Sequence, residues 1–237
     1  MTAASMESAG RKRDVVFTTE ARKDGGWRIT ANELASPNST IKTEARTVYT
    51  SKNRVSFLKT AKDGSVIVAA SEDRILIGRL RSTDYDTIDK IRYEFRVFES
   101  SNPICSLDVR VSDRPAAKDL KKAARKLPIV DLVVGDVRGA IFLHNDLLAK
   151  LVISQDGALP PGFSITPRKL HWHRQAVLTV KWSLDGNYVI SGGTETVLVL
   201  WQLDTGKHQF LPHMSSTIQN VVVSIFSEFL FPDLNVS

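Results

Sequence analysis

The sequence contains a single cysteine, Cys105, among 237 residues. No internal disulfide can form, so a reducing compartment is the natural setting. Cys105 lies in a strand-like run between Ile104 and Leu107, which predicts a buried apolar role for it and not a reactive one. Long apolar runs are missing too. Nothing approaches the roughly 18 apolar residues of a membrane-spanning helix, and the longest late candidate, Val221 to Phe231, is broken by Ser224, Ser227 and Glu228. The opening residues, MTAASMESAG, lack the apolar core of a secretory signal. Catalytic signatures are equally scarce, with no Gly-x-Ser-x-Gly elbow and no Gly-x-x-x-x-Gly-Lys-Ser/Thr phosphate loop. His171 and His173 are a pair without Cys or acidic partners at zinc spacing, so His173 reads as structural and His171 as a surface residue. No metal, cofactor, small-molecule substrate or enzymatic activity is expected.

What charge there is sits in one place. Residues 110–126, RVSDRPAAKDLKKAARK, hold seven Lys and Arg against Asp113 and Asp119, a net +5 out of the chain's formal +6. Two readings stay open. One is a solvated lysine-rich loop with one or two helical turns over Ala116 to Lys126, stopped by Pro128. The other is sequence-independent contact with RNA phosphates through Arg114, Lys118, Lys121, Lys122, Arg125 and Lys126. The insert has no aromatic side chain, which excludes base stacking within it.

Outside the insert, short strand-like runs alternate with tight turns. Residues 171–206 read HWHRQAVLTVKWSLDGNYVISGGTETVLVLWQLDTG, and residues 53–80 read NRVSFLKTAKDGSVIVAASEDRILIGRL. Aligned on Asp63-Gly64 and Asp185-Gly186, they match without a gap: Val66-Ile67-Val68 on Tyr188-Val189-Ile190, Asp73 on Glu195, Ile75-Leu76-Ile77 on Val197-Leu198-Val199. A looser copy runs from Ile104 through Ile129–Val134 to Ala140–Leu143. Asp-Gly between apolar runs predicts hairpins, because both residues tolerate the positive φ of primed turns. Repeated multi-strand units that cannot bury their faces alone predict stacking in a repeat architecture. The strands are not separated by long helical patterns, which excludes a parallel α/β sheet.

In the third copy, His173, Asp185-Gly186, Ser191-Gly192, Glu195 and Trp201 resemble a WD40 repeat, the four-stranded blade of a β-propeller. That resemblance implies a buried hydrogen-bonded chain of His173, Ser191, Glu195 and Trp201, with Glu in place of the usual Asp and Gln202 in place of the Asp of Trp-Asp. The first copy keeps the acid as Asp73 but has Arg79 where Trp belongs. Trp172, Trp182 and Trp201 could form a stacking platform for bases, yet Trp182 and Trp201 fall in blade strands and read as packing, leaving Trp172 the most exposed.

Further runs, among them Ser100–Val111, Leu132–Ile141, Leu170–Val177 and Gln209-Phe-Leu-Pro, are similar to the WD-repeat protein 75/Nan1 (Utp17) family of the small-subunit processome. Its members belong to the t-UTP, or UTP-A, subcomplex. The resemblance implies a nucleolar, non-catalytic scaffold assisting ribosomal DNA transcription by RNA polymerase I and 18S rRNA maturation. Its implied partners are other t-UTP WD-repeat proteins, pre-rRNA and snoRNA, with no membrane. Alternatives are a direct RNA-binding module acting through the basic insert, and a WD40 adaptor of another complex. The predicted fold class is all-β, a partial WD40 propeller of three recognisable blades plus flanking fragments over residues 25–223. Residues 1–24 are expected to be a disordered or artefactual segment, and Gly26 to Thr30 an outer strand. Family members are several times longer, so the chain is expected to be a fragment. Its tail, residues 224–237, lacks the Asp-Gly hairpin of a blade and is expected to come from read-through or a misassigned gene model.

Overall fold

The structure, a computed structural model, describes residues 1–8, 11–34, 45–61, 63–81, 88–115, 127–155 and 166–224. Its strands form four antiparallel four-stranded sheets, each a meander in chain order. The first contains β1 (Thr2–Ser8), β2 (Arg11–Ala21), β3 (Trp27–Glu33) and β4 (Ala45–Ser51). The second contains β5 (Phe57–Thr60), β6 (Val66–Ser71), β7 (Arg74–Leu80) and β8 (Tyr93–Glu99). The third contains β9 (Ile104–Ser112), β10 (Ile129–Asp136), β11 (Ala140–His144) and β12 (Arg168–His171). The fourth contains β13 (Thr179–Trp182), β14 (Tyr188–Gly192), β15 (Val199–Gln202) and β16 (His208–Phe210). One α-helix, α1 (Leu147–Gln155), and a 3-10 turn at Ile88–Lys90 are the helical elements among the described residues. Four successive four-stranded meanders make a partial β-propeller.

The Asp-Gly pairs build the same hairpin twice. Gly64 (φ +68°) and Gly186 (φ +79°) adopt the left-handed backbone that a side chain would strain. Asp63 Oδ1 accepts the Ser65 N–H at 3.0 Å, as Asp185 Oδ1 accepts that of Asn187 at 3.1 Å. Thr60 pairs with Ile67 and Trp182 with Val189, the same register in both copies.

The chain divides into two compact units, each with its own core: Met1–Ile104, Val111–Val130 and Asp146–Ser164, and Cys105–Arg110, Asp131–Asn145 and Ile165–Ser237. In the first, Met6, Val15, Phe17 and Ile29 of the first sheet pack with Leu58, Ile67, Ala69 and Leu76 of the second. In the second, Val133 and Ile141 pack with Val180, Trp182, Val189, Val199 and Trp201.

Several boundaries differ from those expected. Residues 1–24 are not a structureless leader: β1 and β2 pair from Thr2↔Phe17 to Ser8↔Arg11, and β2 pairs with β3 from Val15↔Glu33 to Ala21↔Trp27. The alternation Arg13, Val15, Phe17 buries one face of β2, and the charge on the RKRD run concealed it. Gly26 to Thr30 runs into β3, the third strand of four and not an outer one. The sheets number four among the described residues, against three copies and fragments, since in the first sheet the Asp-Gly pair, Asp24-Gly25, lies in the second turn and not the first, and no Trp ends the third strand. Residues Arg110 to Ser112 belong to β9, so the insert begins inside a strand. The helical turns expected over 116–126, and the tail from 225 to 237, fall outside the described residues.

Candidate functional site

The side chains with the most connected polar chemistry meet in the fourth sheet. His173 precedes β13, Ser191 lies on β14, Glu195 in the β14–β15 loop and Trp201 on β15. Trp201 Nε1–H donates to Ser191 Oγ at 2.8 Å, and Ser191 Oγ lies 2.9 Å from His173 Nε2. His173 Nδ1 lies 3.0 Å from Glu195 Oε2, while Glu195 Oε1 accepts the Arg174 backbone N–H at 2.7 Å. A carboxylate only accepts, so Nδ1 carries the proton, Nε2 accepts from the serine hydroxyl, and the chain runs one way. Burial pushes the His173 pKa below its ordinary value, overcoming the hydrogen bond and charge of Glu195, which act to raise it; His171 adds to the lowering. The neutral imidazole is therefore a two-ended connector. His173 is 1% exposed and Ser191 is fully buried, so no substrate reaches them. Glu195 reaches His173 from the six-residue loop, 193–198, that joins β14 to β15.

Close backbone approach holds the histidine segment in place. A Cβ on Gly139 would sit 2.0 Å from the His173 carbonyl oxygen, and one on Gly193 would sit 2.1 Å from that of Ala176. Both positions require glycine. Three further participants escaped the sequence reading. Asp136 is fully buried, and its Oδ1 accepts the backbone N–H groups of Arg138 and Ala140, closing the β10–β11 turn. Ser106 donates to the Val177 carbonyl at 2.6 Å, and Asp108 accepts the Trp182 backbone N–H at 3.1 Å. The run Gly135-Asp136-x-x-Gly139 was a readable turn signal for the first of these; nothing local marks the other two.

The remaining predicted residues go elsewhere. Asp73 is not part of a polar chain: it sits with Glu72 (φ +47°) in a two-residue turn between Ser71 and Arg74. Arg114 is not available to RNA. Its guanidinium is 7% exposed, bidentate to Asp146 at 2.7 Å on one arm, and its Nε donates to the Leu127 carbonyl. A planar fork matches a carboxylate as well as a phosphate, and Asp146 takes it internally. Lys118, Lys121, Lys122, Arg125 and Lys126 lie outside the described residues. Trp182 and Trp201 are core residues, whereas Trp172 is half-buried against Phe210, with ring centroids 4.6 Å apart. His171 is exposed. Cys105 is half-buried, more open than expected; burial and the neighbouring Asp136 charge raise its pKa and keep it a thiol. Among the described residues, no cluster of three or more His, Cys, Asp or Glu is placed to hold a metal ion, and no helix is long and apolar enough to cross a membrane.

Residues 166–202 match the family model "WD domain, G-beta repeat", the segment that carries the four-residue chain. This segment is a WD repeat. Among the relatives of this WD-repeat chain is U3 small nucleolar RNA-associated protein 17 of Schizosaccharomyces pombe, 31% identical over 176 residues, 70% of this chain and 20% of that protein. NET1-associated nuclear protein 1 of Saccharomyces cerevisiae is 49% identical over 51 residues, 22% of this chain and 6% of that protein. Human WD repeat-containing protein 75 is 43% identical over 56 residues, 23% of this chain and 7% of that protein. The matched part of this WD-repeat chain thus spans about a fifth or less of the length of each relative.

Proposed function

We propose that the chain is a non-catalytic scaffold segment acting in ribosome biogenesis, within the UTP-A part of the small-subunit processome. The match over 176 residues to a protein named for the U3 small nucleolar RNA carries this reading. The geometry supports it from another side. The polar groups that could do chemistry, His173, Ser191 and Glu195, are spent on tying strands together, and what remains is rigid surface. In this role the protein works in the nucleolus alongside sibling WD-repeat proteins, pre-rRNA and snoRNA, contributing to 18S rRNA maturation and to transcription by RNA polymerase I. The test is affinity purification of the tagged endogenous protein. Recovery of processome WD-repeat proteins and pre-rRNA, together with nucleolar staining, is the expected result. Exclusion from the nucleolus with recovery of an unrelated complex would replace this reading with that of an adaptor elsewhere.

A further inference from the structure

Within the first unit, the first and second sheets leave a cleft of about 730 Å³ between the end of β4 and the adjoining ends of β6, β7 and β8. That volume is in the range of peptide side-chain and small-ligand sites. The repeat offset explains why space is left. Thr50 and Ser51 stand where Trp172 and His173 stand in the later copy, and Ala69 stands where Ser191 stands. Three groups that fill and bind in the fourth sheet are thus replaced by small ones. Val55, Ala69, Ala70 and Leu76 line the cleft as an apolar floor, and Val97, 52% exposed, forms its lip.

Two polar groups at the cleft, on Ser71 and Lys52, are unspent among the described residues. Ser71, one of the lining residues, is 8% exposed, and its Oγ has no hydrogen-bond partner. Lys52 is exposed at the mouth and makes no ion pair among the described residues. Arg74 is at the mouth as well, 3.5 Å from Glu99, in a pair exposed on both sides. Glu99 is the one carboxylate among the lining residues and Arg74 engages it, which leaves Lys52 as the uncompensated charge of the lining itself, with Glu72 and Asp73 in the turn beside Arg74.

We propose that this cleft receives an aromatic side chain next to a carboxylate, presented by a segment of a partner polypeptide. The ring takes the space that Trp172 and His173 fill in the later copy, and the carboxylate meets Lys52. The identification of the guest as a protein segment rests on the scaffold reading; the chemistry of the cleft does not.

The test is a titration of the 237-residue chain with two capped peptides, acetyl-Glu-Trp-Glu-amide and acetyl-Gln-Trp-Gln-amide, followed residue by residue in ¹H–¹⁵N NMR spectra. The expected result is saturable shifts confined to the cleft, at Lys52, Asn53, Ala70, Arg74 and Val97, with the Glu peptide binding about two- to fivefold more tightly than the Gln peptide. In Lys52→Gln, an exposed position that leaves the fold intact, that preference disappears. In Val97→Asn both peptides weaken together, because the apolar lip is lost. Absence of saturable shifts at the cleft, or a Gln peptide that binds as well as the Glu peptide, overturns the proposal. Peptide binding without processome proteins in the purification above leaves the cleft standing and removes the scaffold reading; the opposite pattern does the reverse.

Discussion

The second and fourth sheets begin from the same instructions and end with different interiors. Both open with an Asp-Gly hairpin, and their first two strands pair in identical register. Then the turns diverge. In the second sheet, two residues link Ser71 to Arg74; in the fourth, seven separate the pair Ser191↔Val199. The ungapped sequence match sets Arg79 against Trp201, but Val189 pairs with Trp201 while Ile67, its equivalent, pairs with Gly78. The third strand has slipped by one residue, and a one-residue slip moves every side chain to the opposite face. Gly78 therefore occupies the position of the tryptophan. The space is taken by Phe95 from the neighbouring strand, whose ring lies 2.3 Å from where a Gly78 Cβ would be. Arg79, turned to the other face, pairs with Glu94 at 3.0 Å. Burial opposes the Glu94 charge, but Arg79, Arg96 and Arg81 hold its carboxyl below the ordinary range. One sheet is closed by a directional polar chain, the other by an aromatic ring laid over a glycine and by ion pairs at its margin.

The largest effect that would break this contrast is expected from Trp201→Ala. It removes a 5%-exposed indole and the donor to Ser191, and should cost about 3–5 kcal/mol in chemical denaturation. Hydrogen exchange should localise the loss to the second unit, leaving the amides of β6 and β7 protected. In the second sheet the sensitive residue is the smallest one. Gly78→Ala should destabilise by about 1–3 kcal/mol, because the new Cβ displaces Phe95 in a packed core, whereas a site open to solvent would show no change.

Ser191→Ala should cost about 1–3 kcal/mol by leaving the Trp201 N–H and His173 Nε2 without partners in a buried site. A double-mutant cycle with Trp201→Phe should be strongly non-additive, and additivity would show that the chain does not act as a unit.

Acid should separate the two units next. His173 is held neutral, with its pKa lowered in the fold, so its contribution is fully present above the unfolded value near 6.5 and declines as pH falls below it. Protection of β14 and β15 amides should therefore decline between pH 7 and 5 more than that of β6 and β7, and His173→Gln should flatten the difference. The smallest expected effect is that of Arg79→Gln, about 0–1 kcal/mol by denaturant titration, since both partners of its ion pair are roughly 30% exposed.

How much of this could be read beforehand depended on the reach of each interaction. The hairpins were legible because turn chemistry is a local signal; the His173–Ser191–Glu195–Trp201 chain, whose partners lie 10 to 22 residues apart, was legible only through the resemblance to a WD40 repeat. The first sheet was harder to see. β2 carries its apolar alternation beneath a basic run, and its sheet has an Asp-Gly pair, Asp24-Gly25, only at the turn after β2, with no tryptophan matched to Trp201. Arg114 was misread for the same reason. Its partner Asp146 lies 32 residues away, and a cluster of positive charges looks solvent-facing until a half-buried carboxylate is placed beside one of them.

The sequence by itself determined the strand-turn-strand modules and the all-β class, since positive-φ glycines and alternating apolar residues act within a few positions; the closing chain of the fourth sheet is what its resemblance to a WD40 repeat implied. Only the tertiary structure decided the slip that gives Gly78 and Phe95 the tryptophan's place, the internal capture of Arg114, and the cleft beside Lys52. These depend on which side chains meet across strands and sheets, and residue spacing along a chain does not encode the register in which distant faces come together.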